Sequence, residues 1–321
     1  MKFQAFLLVS LVLSFLLVIS AKNEQCGWQA DDKLCPNGYC CSKDGFCGKT
    51  AAYCGEGCQS QCHHLSSFLD QSTFDKMFPN QYSNDCPSQG FYTYDALISA
   101  AKYFSGFASV GDDETRKREI AAFLAQISHE SSGVHAVVPL PLIDRYVWGL
   151  CILSENNPPS NYCNPHYICP KEYYGRGPFQ LKWNKNYIEC GEYTGCGEDI
   201  GDLVNNPDLL VTDPVISFKS ALWFWMTSRS GKYPSCHEVM TGEWQPTEGD
   251  ESKGWFSGFG LTTNIINGVN ECGNGQDARG ANRIGYFAKY CDLLNTTTGD
   301  NLDCYKQTPM VSELTLLPKT M

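Results

Sequence analysis

Cations are scarce in this chain: 24 Lys and Arg stand against 35 Asp and Glu, for a formal net charge of −11. That balance argues against nucleic acid or an anionic membrane surface as a partner, since either is held by surplus positive charge. Histidine is scarce too, with six in 321 residues, and these form no ligand cluster. His129-Glu130 begins an H-E-x-x-H zinc pattern, but Gly133 occupies the place of the second histidine and His135 has the wrong spacing. No metal and no cofactor is expected. Beyond the first twenty residues no apolar run is long enough to cross a bilayer. There is no internal repeat, and no alternation of strand and helix patterns that would build a parallel sheet.

Cysteine is abundant, with 18 in the chain. The opening MKFQAFLLVSLVLSFLLVIS carries one charge, Lys2, and leads into Ser20-Ala21-Lys22-Asn23. Residues 1–21 read as a secretory signal peptide cleaved near Ala21. A membrane anchor is the alternative, disfavoured because a cysteine framework starts a few residues later. Export implies an oxidising compartment and mostly paired thiols.

Residues 24–62 form a small module with eight cysteines, Cys26, Cys35, Cys40, Cys41, Cys47, Cys54, Cys58 and Cys62. Few apolar side chains lie between them, so the segment depends on disulfides rather than on a core. Trp28, Phe46 and Tyr53 have little interior to enter. A ring left outside can stack on the apolar face of a sugar or pack on a protein, and a hydroxyl such as Ser42 can bond to sugar oxygens. A toxin, an inhibitor, a lectin or a ligand-free staple all fit these residues.

Residues 63–71 form a short linker without Pro or Gly, so the two parts are closely tethered. From Ser72 the texture becomes helical, over residues 72–305. Helix signals start at Ser72-Thr73-Phe74-Asp75 and at Tyr94-Asp95, and run over Glu114–Ser131, from Pro214 through Thr227, and over Asp277–Leu294. Pro139–Ser160 and Phe256–Gly275, rich in Gly, Pro and Asn, read as loops with short hairpins. The expectation is a mostly helical domain held by bridges, its long loops forming a cleft. Residues 306–321 read as a C-terminal tail. Asn295-Thr296-Thr297 is a glycosylation sequon and places Asn295 on the surface.

Glu130 ends the long helix, where a carboxylate is slightly unfavourable because helix C-termini prefer cations. Glu155 lies in a loop just after Cys151. Two carboxylates across a cleft can break a glycosidic bond: one gives a proton to the leaving oxygen and the other activates water. Residue pattern alone does not pair these two among the 35 acidic residues.

Longer segments narrow the choice. The cysteine spacing of residues 24–62, with the adjacent Cys40-Cys41 and the ends EQCG and GCQSQC, resembles the hevein chitin-binding module of plants. GFYTYDA (90–96), KREIAAFLAQISHESSG (117–133), YYGRGPFQL (173–181), LWFWMT (222–227), FGLTTNIING (259–268), ECGNGQDAR (271–279) and NLDCY (301–305) resemble the catalytic domain of plant family 19 chitinases. Together the two parts resemble a class I chitinase. The resemblance implies a small disulfide-rich domain followed by a mostly α-helical, lysozyme-like domain. It implies hydrolysis of internal β-1,4 links of chitin with inversion, in plant defence. Chitin and N-acetylglucosamine oligomers are the implied ligands of a monomer.

On this resemblance Glu130 is the general acid and Glu155 the general base, their carboxyls about 6.5–9.5 Å apart. His129, Glu271 and Arg283 support the acid. Gln180, Lys182, Asn186, Lys232 and Asn267 line the substrate. The module would bind through Ser42, Phe46 and Tyr53, while Asp44 stands where a third ring is expected. A lost stack costs about 1 kcal/mol, and Trp28 is an extra aromatic. The resemblance also implies the bridges Cys86–Cys151, Cys163–Cys169 and Cys272–Cys304. Cys190 and Cys196 are close enough in sequence to pair locally. Cys236 and Cys291 are either buried thiols or one further bridge.

Three positions depart from the family's pattern: His135 replaces a tryptophan, Lys182 a serine that positions water, and Lys185 a tyrosine. A cation beside a catalytic base makes it a poorer proton acceptor. A chitin-binding protein with a weakened catalytic domain is therefore the competing expectation, and a storage protein that kept the fold is a third. The apolar end of the tail resembles a sorting propeptide, which favours the vacuole over the extracellular space as the end of the secretory route.

Overall fold

The small unit has almost nothing apolar to bury except its own cysteines, and Cys26, Cys35, Cys41 and Cys47 make up its core. A computed structural model describes residues 25–36, 39–48, 51–54, 57–62, 65–104, 106–132, 146–193, 202–228 and 231–310. The signal peptide, His135, Cys196 and the chain after residue 310 lie outside these. The chain divides into two compact units, residues 1–64 and 65–321. In the first, Cys26–Cys41, Cys35–Cys47, Cys40–Cys54 and Cys58–Cys62 are bridged. Closing loops of this size removes unfolded-state entropy worth about 3 kcal/mol for the longer ones. Two short strands, Cys40–Cys41 and Cys47–Gly48, pair antiparallel with Cys41 opposite Cys47. Cys26, Cys35 and Cys47 bring their sulfurs together, but all three are in disulfides and offer no thiolate to a metal.

The large unit is helical, and the side chains at its helix starts explain where the helices begin. Asp70 accepts from Thr73 N, Thr93 from Ala96 N and Asp112 from Thr115 N, which starts helices Gln71–Met77, Tyr94–Ala101 and Asp113–Glu130. Asp213 caps Pro214–Met226, with Pro214 in the first turn, and Asp277 caps Ala278–Leu294. Asp113–Glu130 packs along Ala278–Leu294, and Tyr94–Ala101 packs on Pro214–Met226.

The long helix is enclosed rather than amphipathic. Every residue from Glu119 to His129 is buried, including the polar Glu119, Gln126, Ser128 and His129. Each of these has a partner. Ser128 Oγ bonds Leu124 O and Tyr290 Oη. Glu119 Oε2 accepts from Ala108 N at 3.0 Å, and its Oε1 accepts from Trp225 Nε1 at 3.0 Å and His237 Nδ1 at 2.6 Å. Buried carboxylates persist only when satisfied in this way.

Three sequence boundaries are corrected. Residues 63–71 are not all linker: Leu65 and Leu69 are buried in the core of the large unit, and Tyr94 Oη donates to Leu69 O. The tail does not start at residue 306. Gln307 and Met310 are buried, and Asn264 Nδ2 donates to Gln307 Oε1 and Thr308 O while its Oδ1 accepts from Met310 N. Phe256–Gly275 is not a loop, because Phe259–Glu271 is a helix with a kink at Asn267. Its glycines serve close packing: a Cβ on Gly260 would lie 2.1 Å from Asp303 O. Cys86–Cys151, Cys163–Cys169 and Cys272–Cys304 are bridged. Cys236 and Cys291 are both buried, and no bridge joins them.

The Glu119–His237 pair makes stability depend on pH. Burial alone would lower the His237 pKa, but the Glu119 carboxylate, helped by Glu243, raises it from 6.5 to about 10. A folded pKa above the unfolded one gives stability that is complete below pH 6.5 and lost as pH rises through about 10. Urea unfolding at pH 6, 8 and 10 is expected to show this loss, on the order of a few kcal/mol. His237→Gln is expected to be less stable at pH 6 and to have a flatter profile. A wild type equally stable at pH 6 and 10 would contradict the assignment.

Candidate active site

Helix Asp113–Glu130 ends at the C-cap Ser131, and that cap joins it to the Glu155 loop. Ser131 O accepts from both Cys151 N and Ile152 N, at 3.0 and 2.8 Å, and Ser131 Oγ accepts from Leu150 N at 2.8 Å. Cys86–Cys151 anchors the same strand of chain. Beyond it, Glu155 N donates to Gly175 O, and Gly177 N donates to Leu153 O. Residues 153–155 therefore run beside the YYGRG segment. Backbone bonds thus bring Glu130 and Glu155 to one region of the domain, each side chain about one-fifth exposed.

The two carboxylates have different surroundings. Glu130 Oε1 accepts from Arg283 Nη2. Arg283 is fully buried and is shared: Nε and Nη2 donate to Glu271 Oε2 and Oε1 at 2.8 Å each, and Nη1 donates to Gln126 Oε1 at 2.7 Å. Gln126 is in turn fixed by donating to Thr262 and Thr263. Burial alone would raise the Glu271 pKa, but the paired bonds and charge of Arg283 hold it below the usual carboxylate range. His129 is buried beside this network. Desolvation first, and then the Arg283 charge, lower its pKa to about 4, so it is neutral near pH 7, with Nδ1 donating to Asn282 Oδ1 at 2.8 Å.

Glu155 faces a different cation. Its Oε1 accepts from Tyr162 Oη at 3.0 Å and from Lys182 Nζ at 3.1 Å, while Oε2 accepts from Gly175 N at 3.3 Å. The lysine that the sequence places at a serine position thus contacts the carboxylate directly. Burial and the bond to Glu155 raise the Tyr162 pKa to about 12, so it remains a donor.

Asn267 Nδ2 donates to Glu271 Oε1 at 2.6 Å and belongs to the Arg283 network. Asn186 is buried, not presented outward, and donates to Lys182 O at 2.6 Å, fixing the backbone of the residue that touches Glu155. Gln180 donates to Gly177 O. Lys232 is exposed, its Nζ 5.0 Å from the Tyr233 ring centre. Lys185 pairs with Glu189 at 3.6 Å. Asn295 is exposed at the left-handed C-cap of the last helix, and Thr297 Oγ1 donates to Glu114. Tyr162, Gln126 and Asn282 were missed. None lies in a pattern that marks it, since each meets its partner only through the fold.

In the small unit, Phe46 and Tyr53 are half-buried and Trp28 is exposed. A Cβ on Gly48 would lie 2.3 Å from the Tyr53 ring, so that ring rests on the bare backbone of Gly48. Ser42 is buried, and its Oγ accepts from Phe46 N at 3.1 Å. Its first task is to hold the turn that carries Phe46.

A helical domain with two partly exposed glutamates, one set beside a shared arginine and the other among a lysine, a tyrosine and a backbone amide, is built as a glycoside hydrolase. Residues 68–304 match the family described as chitinase class I, and residues 25–62 match the chitin recognition proteins. The chain is 52% identical to an endochitinase of Brassica napus over 319 residues, 95% of this chain and 96% of that one. It is also 52% identical to a protein of Hevea brasiliensis named inactive chitinase-like protein 1, over 300 residues, 89% of this chain and 93% of that one. Among solved structures it is similar to chitinase C of Streptomyces griseus, with a TM-score of 0.57 and 34% identity over 74% of this chain and 97% of that one. A class IV chitinase of Zea mays gives a TM-score of 0.56 and 32% identity over 74% and 98%. The chain belongs to the class I chitinases of glycoside hydrolase family 19, with a chitin-recognition module at its N-terminal end.

Removing Arg283 would leave two carboxylates without their shared cation. Arg283→Met is expected to lose about 3–5 kcal/mol of stability, read by urea unfolding. Adding Glu271→Gln is expected to recover part of the loss. A loss below about 1 kcal/mol would show that the buried pairing contributes little.

Proposed function

We propose that the large unit cleaves internal β-1,4 links between N-acetylglucosamine units with inversion, Glu130 acting as general acid and Glu155 as general base. The observation that carries this reading is the contrast between the two carboxylates on one backbone-linked frame. Arg283 carries one positive charge between two carboxylates, and Glu271 takes two of its bonds. Glu130, the more exposed partner, is the one open to a substrate oxygen and is assigned the role of proton donor to the leaving group. Glu155 takes a proton from water as that water attacks the anomeric carbon from the opposite face. Gln180, Asn267 and Lys232 are assigned to the sugar hydroxyls and acetamides, and Phe46 and Tyr53 of the small unit to stacking on the chitin chain. The export signal and apolar tail favour delivery through the secretory pathway to the vacuole, in plant defence.

A second reading rests on Lys182. With Tyr162 and Lys182 both on Oε1 and Gly175 N on Oε2, most of the Glu155 lone pairs are occupied. A water must then displace a donor before it can be activated, and misplacement of a reacting group is costly. The chain is then a chitin-binding protein with slow hydrolysis. The identity to the Hevea brasiliensis protein named as inactive equals that to the Brassica napus endochitinase, so overall similarity does not separate the readings.

Incubation with a chitin hexamer, following product size and anomer, separates them. The enzymatic reading predicts fresh α-anomer, abolished in Glu130→Gln. Wild type no faster than Glu130→Gln would reject it and favour the binding protein. Lys182→Ser is expected to raise kcat about tenfold, roughly 1.4 kcal/mol of barrier, with KM little changed. An unchanged or lower kcat would show that the lysine does not restrain the base.

A further inference from the structure

Trp28 is the most exposed large apolar side chain among the described residues, 71% accessible. Its backbone is nevertheless firmly placed. Cys26 N donates to Gly45 O at 2.9 Å, and Gln25 forms an antiparallel bridge with Phe46. On the other side of Trp28, Gln29 Nε2 donates to Lys43 O at 3.0 Å. The Gln29 side chain lies so close over Gly45 that a Cβ there would be 2.7 Å from its Cδ. Gln59 closes the frame: its Oε1 accepts from Trp28 N at 3.0 Å, and its Nε2 donates to Gln29 Oε1 at 2.7 Å and Ser42 O at 2.8 Å. Cys26 and Gln29, which flank the Gly27-Trp28 pair, therefore both lie against Gly45, the residue after Asp44.

Asp44 sits at the exposed tip of the tight turn from Ser42 to Phe46, closed by Ser42 N to Phe46 O and Gly45 N to Ser42 O. A carboxylate there cannot stack on a sugar ring. An exposed indole carried on backbone that is fixed against that turn offers a large flat face that can.

We propose that Trp28 is a carbohydrate-binding residue that takes the place of the ring absent at Asp44, stacking on one N-acetylglucosamine unit of a chain held against Phe46 and Tyr53. The proposal rests on the chitin-binding reading of the small unit. It makes the saccharide surface of this module wider than the Ser42–Tyr53 segment and places part of it on the N-terminal strand of chain.

The test uses the full chain carrying Glu130→Gln, so that chitin is not consumed, and measures binding to chitin beads. Trp28→Ala is expected to weaken binding about five- to tenfold, comparably to Phe46→Ala. Leu34→Ala, exposed in the same unit, is expected to leave it unchanged. Asp44→Trp is expected to restore binding in the Trp28→Ala background and to gain less when Trp28 is present, a non-additivity that marks a shared role. Wild-type binding by Trp28→Ala while Phe46→Ala is weakened would overturn the proposal and leave the module reading standing. Equal weakening by Leu34→Ala would also overturn it, by showing non-specific apolar contact. If neither ring matters, the chitin-binding reading of the small unit fails and the proposal with it.

Discussion

One buried guanidinium organises the catalytic half of the large unit. Arg283 extends from helix Ala278–Leu294, binds Gln126 and Glu130 on the enclosed long helix, and holds Glu271 at the end of helix Phe259–Glu271. Three helices therefore meet at one cation with no exposed surface. Burying that charge is expensive, and only its pairing with Glu271 and its further hydrogen bonds offset the desolvation. The fixed planar fork of arginine suits this multiple contact, which a lysine could not reproduce. The same network decides the charge at the end of the long helix: Glu271 stays ionised, His129 stays neutral near pH 7 with a pKa of about 4, and Glu130 is left as the exposed member.

The second carboxylate depends on backbone rather than on burial. Ser131 ends the long helix and receives the N–H groups of Cys151 and Ile152, so the segment leading to Glu155 is fastened directly behind Glu130. The Cys86–Cys151 bridge anchors it from a distant part of the sequence. Around Glu155 the donors are the buried Tyr162, one amide and Lys182, whose side chain is more than one-third accessible. This asymmetry matters chemically. The Arg283 contact is built into the core, whereas Lys182 is partly exposed, so a change at Lys182 disturbs less packing than one at Arg283.

Much of the fold was legible because helix starts announce themselves. Pro214 after Asp213 and the polar residue before each apolar run place those helix starts within a residue or two of where they occur. Helix Phe259–Glu271 was hidden because Gly260, Asn264 and Gly268 lower helix propensity while serving close contacts that only the fold creates. The linker and tail are shorter than the sequence suggests because their apolar residues are too few to mark an element: Leu65 and Leu69 stand in one short turn and Met310 stands alone, yet each fills the large unit. In the site, Glu130, Glu155, Glu271 and Arg283 could be named from resemblance, and so could the intrusion of Lys182. Tyr162 could not, because its bond to Glu155 depends on how the disulfide loop folds back.

Arg283 keeps the buried Glu271 carboxyl charged, and the rest of the network depends on that pairing. Carbon-13 labelling of the glutamate carboxyls, with Glu271→Gln to assign its resonance, measures this directly in an acid titration. The Glu271 resonance is expected to keep its ionised position as pH falls through the usual carboxylate range, for as long as the protein stays folded. A Glu271 carboxyl that takes up its proton within or above that range would contradict it.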